Sequence, residues 1–178
     1  FKQIMSENGA ARAALEAQKA GKVRFIGITG HRPDLLAKWI EPGQFDQVLF
    51  HLSLVQPYAL NELIPAATRL NMGKTAMKPL SGGFVQPVDK ALRFVHSQDI
   101  HVMISGMVSV EEVKQNLAAL EKEVDEEEKR ELESLAARLS THNCRRCNYC
   151  SCPAGVPIPD TMISSVVRKE LGLLPRGR

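Results

Sequence analysis

VRFIGITG, residues 23–30, is an apolar run of strand length, and RPDLLAKWIE, residues 32–41, follows it with the apolar spacing of an amphipathic helix. The same order recurs further along the chain in FDQVLFHLSLV (45–55) before a helix at 64–70, GKTAMKPLSGG (73–83) before VDKALRFVHSQ (88–98), and IHVMISGMVS (100–109) before VEEVKQNLAALE (110–121). Strands that alternate with helices pair in parallel, because each crossover needs a helix to return the chain. The chain therefore predicts an α/β fold with four parallel strand–helix units.

The spacing of these units limits the possible architectures of the sheet. Strand starts recur about every 25 residues, slightly less than the roughly 31 residues per unit of an eight-unit barrel. Four units amount to half of a barrel or to a small open sheet. Ahead of them, ARAALEAQKAGK (11–22) is typical of a helix that ends at Gly21. Because the chain starts at Phe1 and enters in mid-pattern, we expect a fragment or a trimmed chain.

The start of the helix after the fourth strand carries a capping-box pattern. Ser109 is followed three residues later by Glu112, so the two side chains can satisfy backbone N–H groups at a helix N-terminus. Free N–H groups at such a terminus also suit an anion, although most capping boxes only cap. The pattern predicts where the helix begins and leaves its binding role open.

The second part of the chain differs in composition. EKEVDEEEKRELESLAARL (121–139) predicts one charged, amphipathic helix that is exposed and acts as a linker. Residues 141–160 are rich in Pro, Gly and Asn, as expected of a loop, and residues 161–174 suit a short final helix. We therefore divide the chain into strand–helix units (1–122) and a linker helix with a small α-helical, cysteine-rich segment (123–178).

All four cysteines of the chain lie in this segment, and their spacing is C-x2-C-x2-C-x-C followed by Pro153. The candidate metal ligands are Cys144, Cys147, Cys150 and Cys152. Thiolates this close can converge on one metal, and a trailing Pro is typical of iron–sulfur runs. Zinc is the alternative, since four thiolates also satisfy its tetrahedral geometry. Disulfides are less suited to reduced cytosol, and Cys152 is the least secure ligand because it follows Cys150 so closely.

Composition excludes several classes of function. The net charge is only +3, with acidic and basic residues spread along the chain, so nucleic acid is not an expected partner. Apolar stretches are broken by Gly, Pro or charge well short of a membrane span, and no secretory leader opens the chain. A hydrophobic content of 44% suffices for a core. We expect a soluble, cytoplasmic protein.

The motifs together resemble a known family. KVRFIGITGH (22–31), FDQVLFHLS (45–53), GKTAMKPLSGG (73–83) and MISGMVSVEEVKQNLAAL (103–120) resemble strands five to eight of the aldo/keto reductases, in the same order. CRRCNYCSCPAGVPIP (144–159) resembles the C-terminal segment of the subgroup with a ferredoxin-like 4Fe-4S motif. The resemblance implies the C-terminal half of a (β/α)8 TIM barrel that binds a nicotinamide dinucleotide and reduces a small carbonyl substrate, or catalyses the reverse reaction.

The family's catalytic Tyr, Lys and Asp lie on its first strands and loops, which this chain does not match. Tyr58 and Tyr149 are the only tyrosines, and neither falls at the catalytic position. The resemblance therefore implies that the chain alone is inactive, needs the missing N-terminal barrel half, and associates with itself through uncovered surfaces. The alternative is a non-catalytic metal-binding module whose zinc or iron–sulfur site is structural or senses redox state.

The resemblance also assigns cofactor-binding positions on the nicotinamide side. Thr29 and Gly30 stand where the family holds the carboxamide, Gln47 matches its carboxamide-binding Gln, and Met77 replaces the aromatic that stacks on the ring. Gln47 also suits an ordinary polar position, and Met77 an ordinary core position. The diphosphate turn is matched by Pro79, Leu80, Ser81 and Gly82, and Lys78 belongs to the cofactor strand and does not match the catalytic Lys.

On the adenosine side the resemblance assigns a second set of positions: Gly106, Met107, Val108, Ser109, Glu112 and Asn116. Members that prefer NADPH have a Lys and an Arg where this chain has Gly106 and Glu112. A carboxylate repels the 2′-phosphate of NADPH. We therefore expect NAD(H) to be favoured over NADP(H).

Overall fold

Helices and strands alternate along the part of the chain that the computed structural model describes, which is residues 1–83, 85, 87–140, 151–158 and 161–162. A helix precedes the sheet, and the remaining helices follow its strands. The elements are α1 (Ala10–Lys19), β1 (Gly27–Gly30), α2 (Pro33–Ile40), β2 (Gln47–His51), a 3₁₀ turn (Tyr58–Leu60), α3 (Leu63–Arg69), β3 (Gly73–Met77), α4 (Val88–His96), β4 (Val102–Ile104), α5 (Val110–Glu121) and α6 (Glu126–Ser140).

The four strands form one sheet in the order β1-β2-β3-β4, and every neighbouring pair is parallel. Thr29 pairs with Leu49, and His51 pairs with Met77. Each crossover between neighbouring strands passes through a helix, as the sequence predicted from the alternation of periods. The predicted α/β class with four parallel strands is confirmed.

The helices cover one face of this sheet. Val48 and Phe50 of β2 and Ala76 of β3 are fully buried on that face. The helices pack against them through apolar side chains that belong to the same core: Leu36, Ile40, Leu63, Ile64, Ala67, Ala91, Phe94 and Val95. Burial of this apolar surface is the main term that stabilises the fold.

The opposite face of the sheet has no helix layer among the described residues. Side chains alternate along a strand, and parallel partners share a face, so the register assigns one set of residues to this side: Thr29, Gln47, Leu49, His51, Thr75, Met77, Val102 and Ile104. Val102 and Ile104 are half exposed. We refer to this side as the open face.

Two strands are shorter than the apolar runs that predicted them. β1 begins at Gly27, the first residue with a partner in β2, whereas the apolar run begins at residue 23. Phe25 is 70% exposed, and the guanidinium of Arg24 lies 5.7 Å from its ring centre. β4 contains three residues. Both are edge strands, and each pairs with one neighbour. The strand therefore ends where that neighbour stops pairing, although the apolar run in the sequence continues.

The predicted helix ends are confirmed at both places where the sequence is specific. Gly21 has φ 71°, and its N–H and that of Lys22 bond to carbonyls of the last turn of α1. At the start of α5 the Glu112 N–H donates to Ser109 Oγ at 3.1 Å. The Glu112 carboxylate accepts from the Val108 N–H at 2.8 Å, one residue before the position expected for a capping box.

The predicted continuous helix over residues 121–139 is wrong at its start. α5 ends at Glu121, Lys122 is extended, and α6 begins at Glu126, where Asp125 Oδ1 accepts from the Glu128 N–H. An Asp that caps a helix is more favourable than an Asp inside it, which explains the break within a charged stretch.

α6 is exposed along its acidic side and packs against the core along its other side. Leu132 and Ala136 are both 2% exposed. Glu128 forms an ion pair with Arg93 of α4, in which both side chains are largely buried. These contacts fasten α6 to the helix layer. No helix in the described ranges has the length and apolar character that a membrane crossing needs.

Candidate functional site

Polar and basic side chains collect where β1, β2 and β3 end. His31 directly follows β1, His51 is the last residue of β2, and Lys78 directly follows β3. Because parallel strands end at the same edge, these three residues from distant parts of the chain become neighbours. This carboxyl edge is where α/β proteins bind ligands.

The turn after β3 has an unusual backbone. Lys78 and Ser81 have φ of 56° and 49°, and Gly82 and Gly83 follow with 78° and 89°. The Ser81 N–H bonds to the Lys78 carbonyl at 2.8 Å, and the Gly83 N–H bonds to the Leu80 carbonyl at 2.9 Å. Left-handed conformations cost energy for residues with a Cβ, and they cluster at functional sites.

Two hydroxyl groups tie this turn to the end of β2. Ser53, which is fully buried, and Ser81 have their Oγ atoms 2.8 Å apart, so one donates to the other. Pro79 is buried as well, and Leu80 packs against the core. These contacts fix the base of the turn against the core, whereas Gly82 at its tip is exposed.

Lys78 reaches from β3 across the end of β2 to His31. Its Nζ lies 3.1 Å from His31 Nε2. An ammonium group has only donor hydrogens, so Nε2 is the acceptor in this arrangement. No carboxylate of the described residues lies within ion-pair distance of Lys78. The ammonium charge is thus uncompensated at the carboxyl edge.

His51 lies beside this pair and is only 8% exposed. Burial, and then the nearby Lys78 and His31, lower the pKa of His51 from 6.5 to about 4, against a backbone hydrogen bond with Lys78 that raises it. The ring is neutral at pH 7. Its Nε2 has no hydrogen-bond partner among the described residues, and a buried nitrogen left so costs about 1–3 kcal/mol. Such a cost is typical of functional sites.

The open face carries the predicted nicotinamide-side residues. Thr29 and Met77 lie near the carboxyl ends of their strands, whereas Gln47 opens β2, two positions before the partner of Thr29. Gln47 Oε1 accepts from Thr75 Oγ1 at 3.0 Å. A Cβ at Gly27 would lie 2.8 Å from Gln47 Cγ and Nε2, so glycine there leaves room for the amide.

The predicted adenosine-side residues lie after β4. Met107 and Val108 are exposed, Val108 to 92%. Asn116 Nδ2 donates to Ser105 Oγ at 3.3 Å, which holds the first turns of α5 to the end of β4. Nothing lies within 4 Å of a Cβ built on Gly106. The Glu112 carboxylate is fixed by the Val108 N–H beside this opening.

Most of the candidate residues form a track along the carboxyl edge of the sheet, whereas Gln47 lies off it at the amino end of β2, four positions before the residue that pairs with Met77. Thr29, Gly30, Gln47 and Met77 belong to its first three strands, the turn at 78–82 follows β3, and the adenosine-side residues follow β4. Sequence analysis gave no role to His31 and His51. The available signal was their place at the ends of strands, which becomes informative once the strand ends are known.

The predicted cysteine site falls mainly outside the described residues. Cys144, Cys147 and Cys150 lie in residues 141–150, beyond the described ranges. Cys152 is a free, half-buried cysteine, and its carbonyl accepts from the Gly155 N–H at 2.9 Å. In the ranges that are described, no three His, Cys, Asp or Glu side chains come together as metal ligands do. The metal site stays a prediction.

Solved structures with a similar fold include aldo-keto reductases. The chain is similar to the aldo-keto reductase AKR11C1 from Bacillus halodurans in its holo form, with 16% identity and a TM-score of 0.59 over 72% of this chain and 55% of that chain. Its apo form gives a TM-score of 0.58 at 16% identity, over 70% and 55% of the two chains. The thermostable aldo-keto reductase Tm1743, bound to the inhibitor epalrestat, gives 0.56 at 18% identity, over 70% and 53%.

The fold is therefore that of part of an aldo-keto reductase barrel. The chain spans about half the length of these solved structures, 55% of the first. No protein-family profile and no curated protein matches the sequence. At such low identity the likeness concerns the fold, and the chemistry depends on the residues of the carboxyl edge and the open face.

Proposed function

We propose that this chain forms the cofactor-binding part of an oxidoreductase of the aldo/keto reductase type, acting on a carbonyl compound or its alcohol. One observation carries the proposal: on a fold shared with aldo-keto reductases, an open sheet face that ends at Met77 leads into the left-handed turn at 78–83. Ligands of α/β folds bind beyond the carboxyl ends of the strands. The resemblance of the sequence motifs points to the same cofactor.

The residues present fit a nicotinamide dinucleotide. Met77 is half-buried on the open face, where its thioether can pack against a flat ring. Gln47 carries an amide of the kind that binds a carboxamide, and in this structure it accepts from Thr75 at the amino end of β2. The exposed Gly82 lets the backbone approach a diphosphate closely. The dinucleotide supplies the hydride, and these residues bind and orient it.

We assign the role of general acid to no residue of this chain. Tyr58, half-buried in the 3₁₀ turn, does not match the family's catalytic position. We propose that the acid comes from a further barrel half, and that this chain alone binds cofactor without turnover. A cytoplasmic location fits a reductase that uses the cellular nicotinamide pool.

Glu112 is the basis for the proposed preference for NADH. Its carboxylate is fixed by the Val108 N–H at the start of α5, next to the open position at Gly106. A 2′-phosphate placed there meets the negative charge of Glu112. We therefore propose that NADH binds more tightly than NADPH.

The cysteine segment is proposed to hold a 4Fe-4S cluster through Cys144, Cys147, Cys150 and Cys152, with zinc as the alternative. The motif and its trailing Pro153 support iron–sulfur. Iron and sulfide analysis of anaerobically reconstituted protein tests this. About four irons and four sulfides with a bleachable visible band would support the cluster. Retained zinc with no visible band would replace it by a structural zinc site.

Cofactor binding tests the main proposal directly. NADH and NADPH are titrated into the chain by calorimetry, together with Met77→Ala, Glu112→Lys and the control Lys38→Ala, which alters an exposed lysine on α2. We expect NADH to bind, Met77→Ala to weaken it several-fold, and Glu112→Lys to strengthen NADPH binding. Absence of binding by both nucleotides, or equal binding by wild type and Met77→Ala, would count against the site.

A further inference from the structure

Cofactor binding does not account for the group formed by His31, His51 and Lys78. Three basic side chains from three strand ends meet, and the Lys78 ammonium donates to His31 Nε2 at 3.1 Å. His51 is buried beside them at the end of β2. The arrangement holds one ammonium group in place and leaves it without a described carboxylate partner.

The backbone shows that this placement is costly. Lys78 has φ 56°, a conformation that side chains with a Cβ rarely adopt. An isolated lysine at a surface gains nothing from such a conformation, and strain of this kind persists where the surrounding structure enforces it. The bond from the Ser81 N–H to the Lys78 carbonyl at 2.8 Å and the contact of Ser81 Oγ with the buried Ser53 hold the turn in this conformation.

The direction of the Lys78 side chain identifies the end of the track that it serves. β1 and β4 are the two edges of the sheet, with β2 and β3 between them. Because His31 follows β1, the ammonium lies toward β1 and away from the turn after β4. It is therefore at the nicotinamide end of the proposed cofactor track, where the reacting part of a substrate lies, and not at the adenosine end.

We propose that Lys78, assisted by His31, binds the carboxylate of a small anionic substrate at the reacting end of the track. This rests on the proposed function, which it deepens by naming keto acids and aldehyde acids as the substrate class. A lysine ammonium is a compact charge with several donors, so it binds a carboxylate while still bonded to His31. Neutral ketones lack the group that this pair recognises.

The test uses the full chain and three probes. Pyruvate represents a keto acid, acetone a neutral ketone, and ADP-ribose the diphosphate part of the cofactor. Binding is followed by calorimetry and by the NMR signals of the His31 ring. The variants are Lys78→Met, which keeps length and loses charge, His31→Gln, and the control Lys38→Met on the exposed side of α2. Circular dichroism checks that each variant is folded.

We expect saturable pyruvate binding that shifts the His31 signals, falls at least tenfold in Lys78→Met and several-fold in His31→Gln, and is unchanged in Lys38→Met. Acetone should leave the signals unmoved. The proposal is overturned if pyruvate binds equally well to wild type and Lys78→Met, if it does not bind, or if only ADP-ribose shifts His31, since the pair would then serve the cofactor diphosphate.

The two proposals fail in different ways. NADH binding is measured on the same samples. Pyruvate binding without NADH binding would support the anion site and contradict the proposed reductase function. NADH binding without pyruvate binding would keep the cofactor site and overturn the inference about Lys78 and His31.

Discussion

At the scale of single residues, His51 links burial to pH. Its folded pKa of about 4 lies below the unfolded value of 6.5, so between these values the unfolded chain binds the proton more readily. The contribution of His51 to the free energy of unfolding is fully present above pH 6.5. It falls as the pH drops toward 4, by up to about 3 kcal/mol. Urea unfolding across this range should show a smaller loss in His51→Gln than in wild type.

His96→Gln is the matched control for this experiment, because His96 is exposed at the end of α4. It should keep the acid sensitivity of the wild type. An identical dependence on pH in His51→Gln and wild type would show that the buried ring does not contribute.

Lys74 is a second buried basic residue, and its environment differs from that of His51. It is 3% exposed, and its Nζ lies 2.6 Å from Asp99 Oδ1 and donates to Thr68 Oγ1 at 2.7 Å. Asp99→Ala leaves the ammonium with Thr68 and water, so we expect the free energy of unfolding to fall by about 1–3 kcal/mol. Urea denaturation measures this loss.

The double variant Lys74→Met/Asp99→Ala should recover part of that loss, because no buried charge then remains unpaired. Asp89→Ala, at an exposed carboxylate in the first turn of α4, serves as control. If the double variant loses as much stability as Lys74→Met and Asp99→Ala lose together, Lys74 and Asp99 do not interact.

At the scale of elements, the end of α3 depends on one backbone conformation. Asn71 has φ 52°, and the N–H groups of Asn71 and Met72 bond to the carbonyls of Thr68 and Ala67. Asn tolerates this conformation better than Ala, and Gly tolerates it best. We expect Asn71→Ala to lower the free energy of unfolding by about 1 kcal/mol and Asn71→Gly to preserve or raise it, as measured by thermal and urea denaturation.

Asn61→Ala is the comparison for this pair, because Asn61 follows the 3₁₀ turn with φ −74°, which any residue adopts. It should change stability little. Equal effects of Ala and Gly at position 71 would mean that a side-chain contact of Asn71, and not its backbone, matters.

At the scale of the whole molecule, the sheet formed by the described residues has two edges without a further partner strand, and an open face. Val110, Val113 and Leu117 add an apolar stripe on α5, with Leu117 59% exposed. Uncovered apolar surface of this kind promotes association. We expect sedimentation velocity to show concentration-dependent self-association, and Val113→Lys with Leu117→Lys to reduce it. Ile4→Lys, an exposed apolar position before α1, should have little effect, and a monodisperse wild-type monomer would contradict the prediction.

The sequence by itself determined the order of the elements and the parallel pairing. These follow from local signals: apolar periodicity, the glycine that ends α1, and the Ser109–Glu112 pattern that begins α5. It also placed the candidate cofactor residues through motif resemblance. Local signals were insufficient at the strand ends and at the start of α6. Pairing with β2 sets the length of β1, and Asp125 caps α6 within a stretch that has helical periodicity throughout.

Only the tertiary structure decided which face of the sheet the helices cover and which side chains meet at the carboxyl edge. Lys78 and His31 are 47 positions apart in the chain, and their contact depends on the strand order and register. The shift in the pKa of His51 likewise depends on burial and on charges brought from two other strand ends. Such contacts have no local pattern in the sequence, because they arise from packing between distant segments.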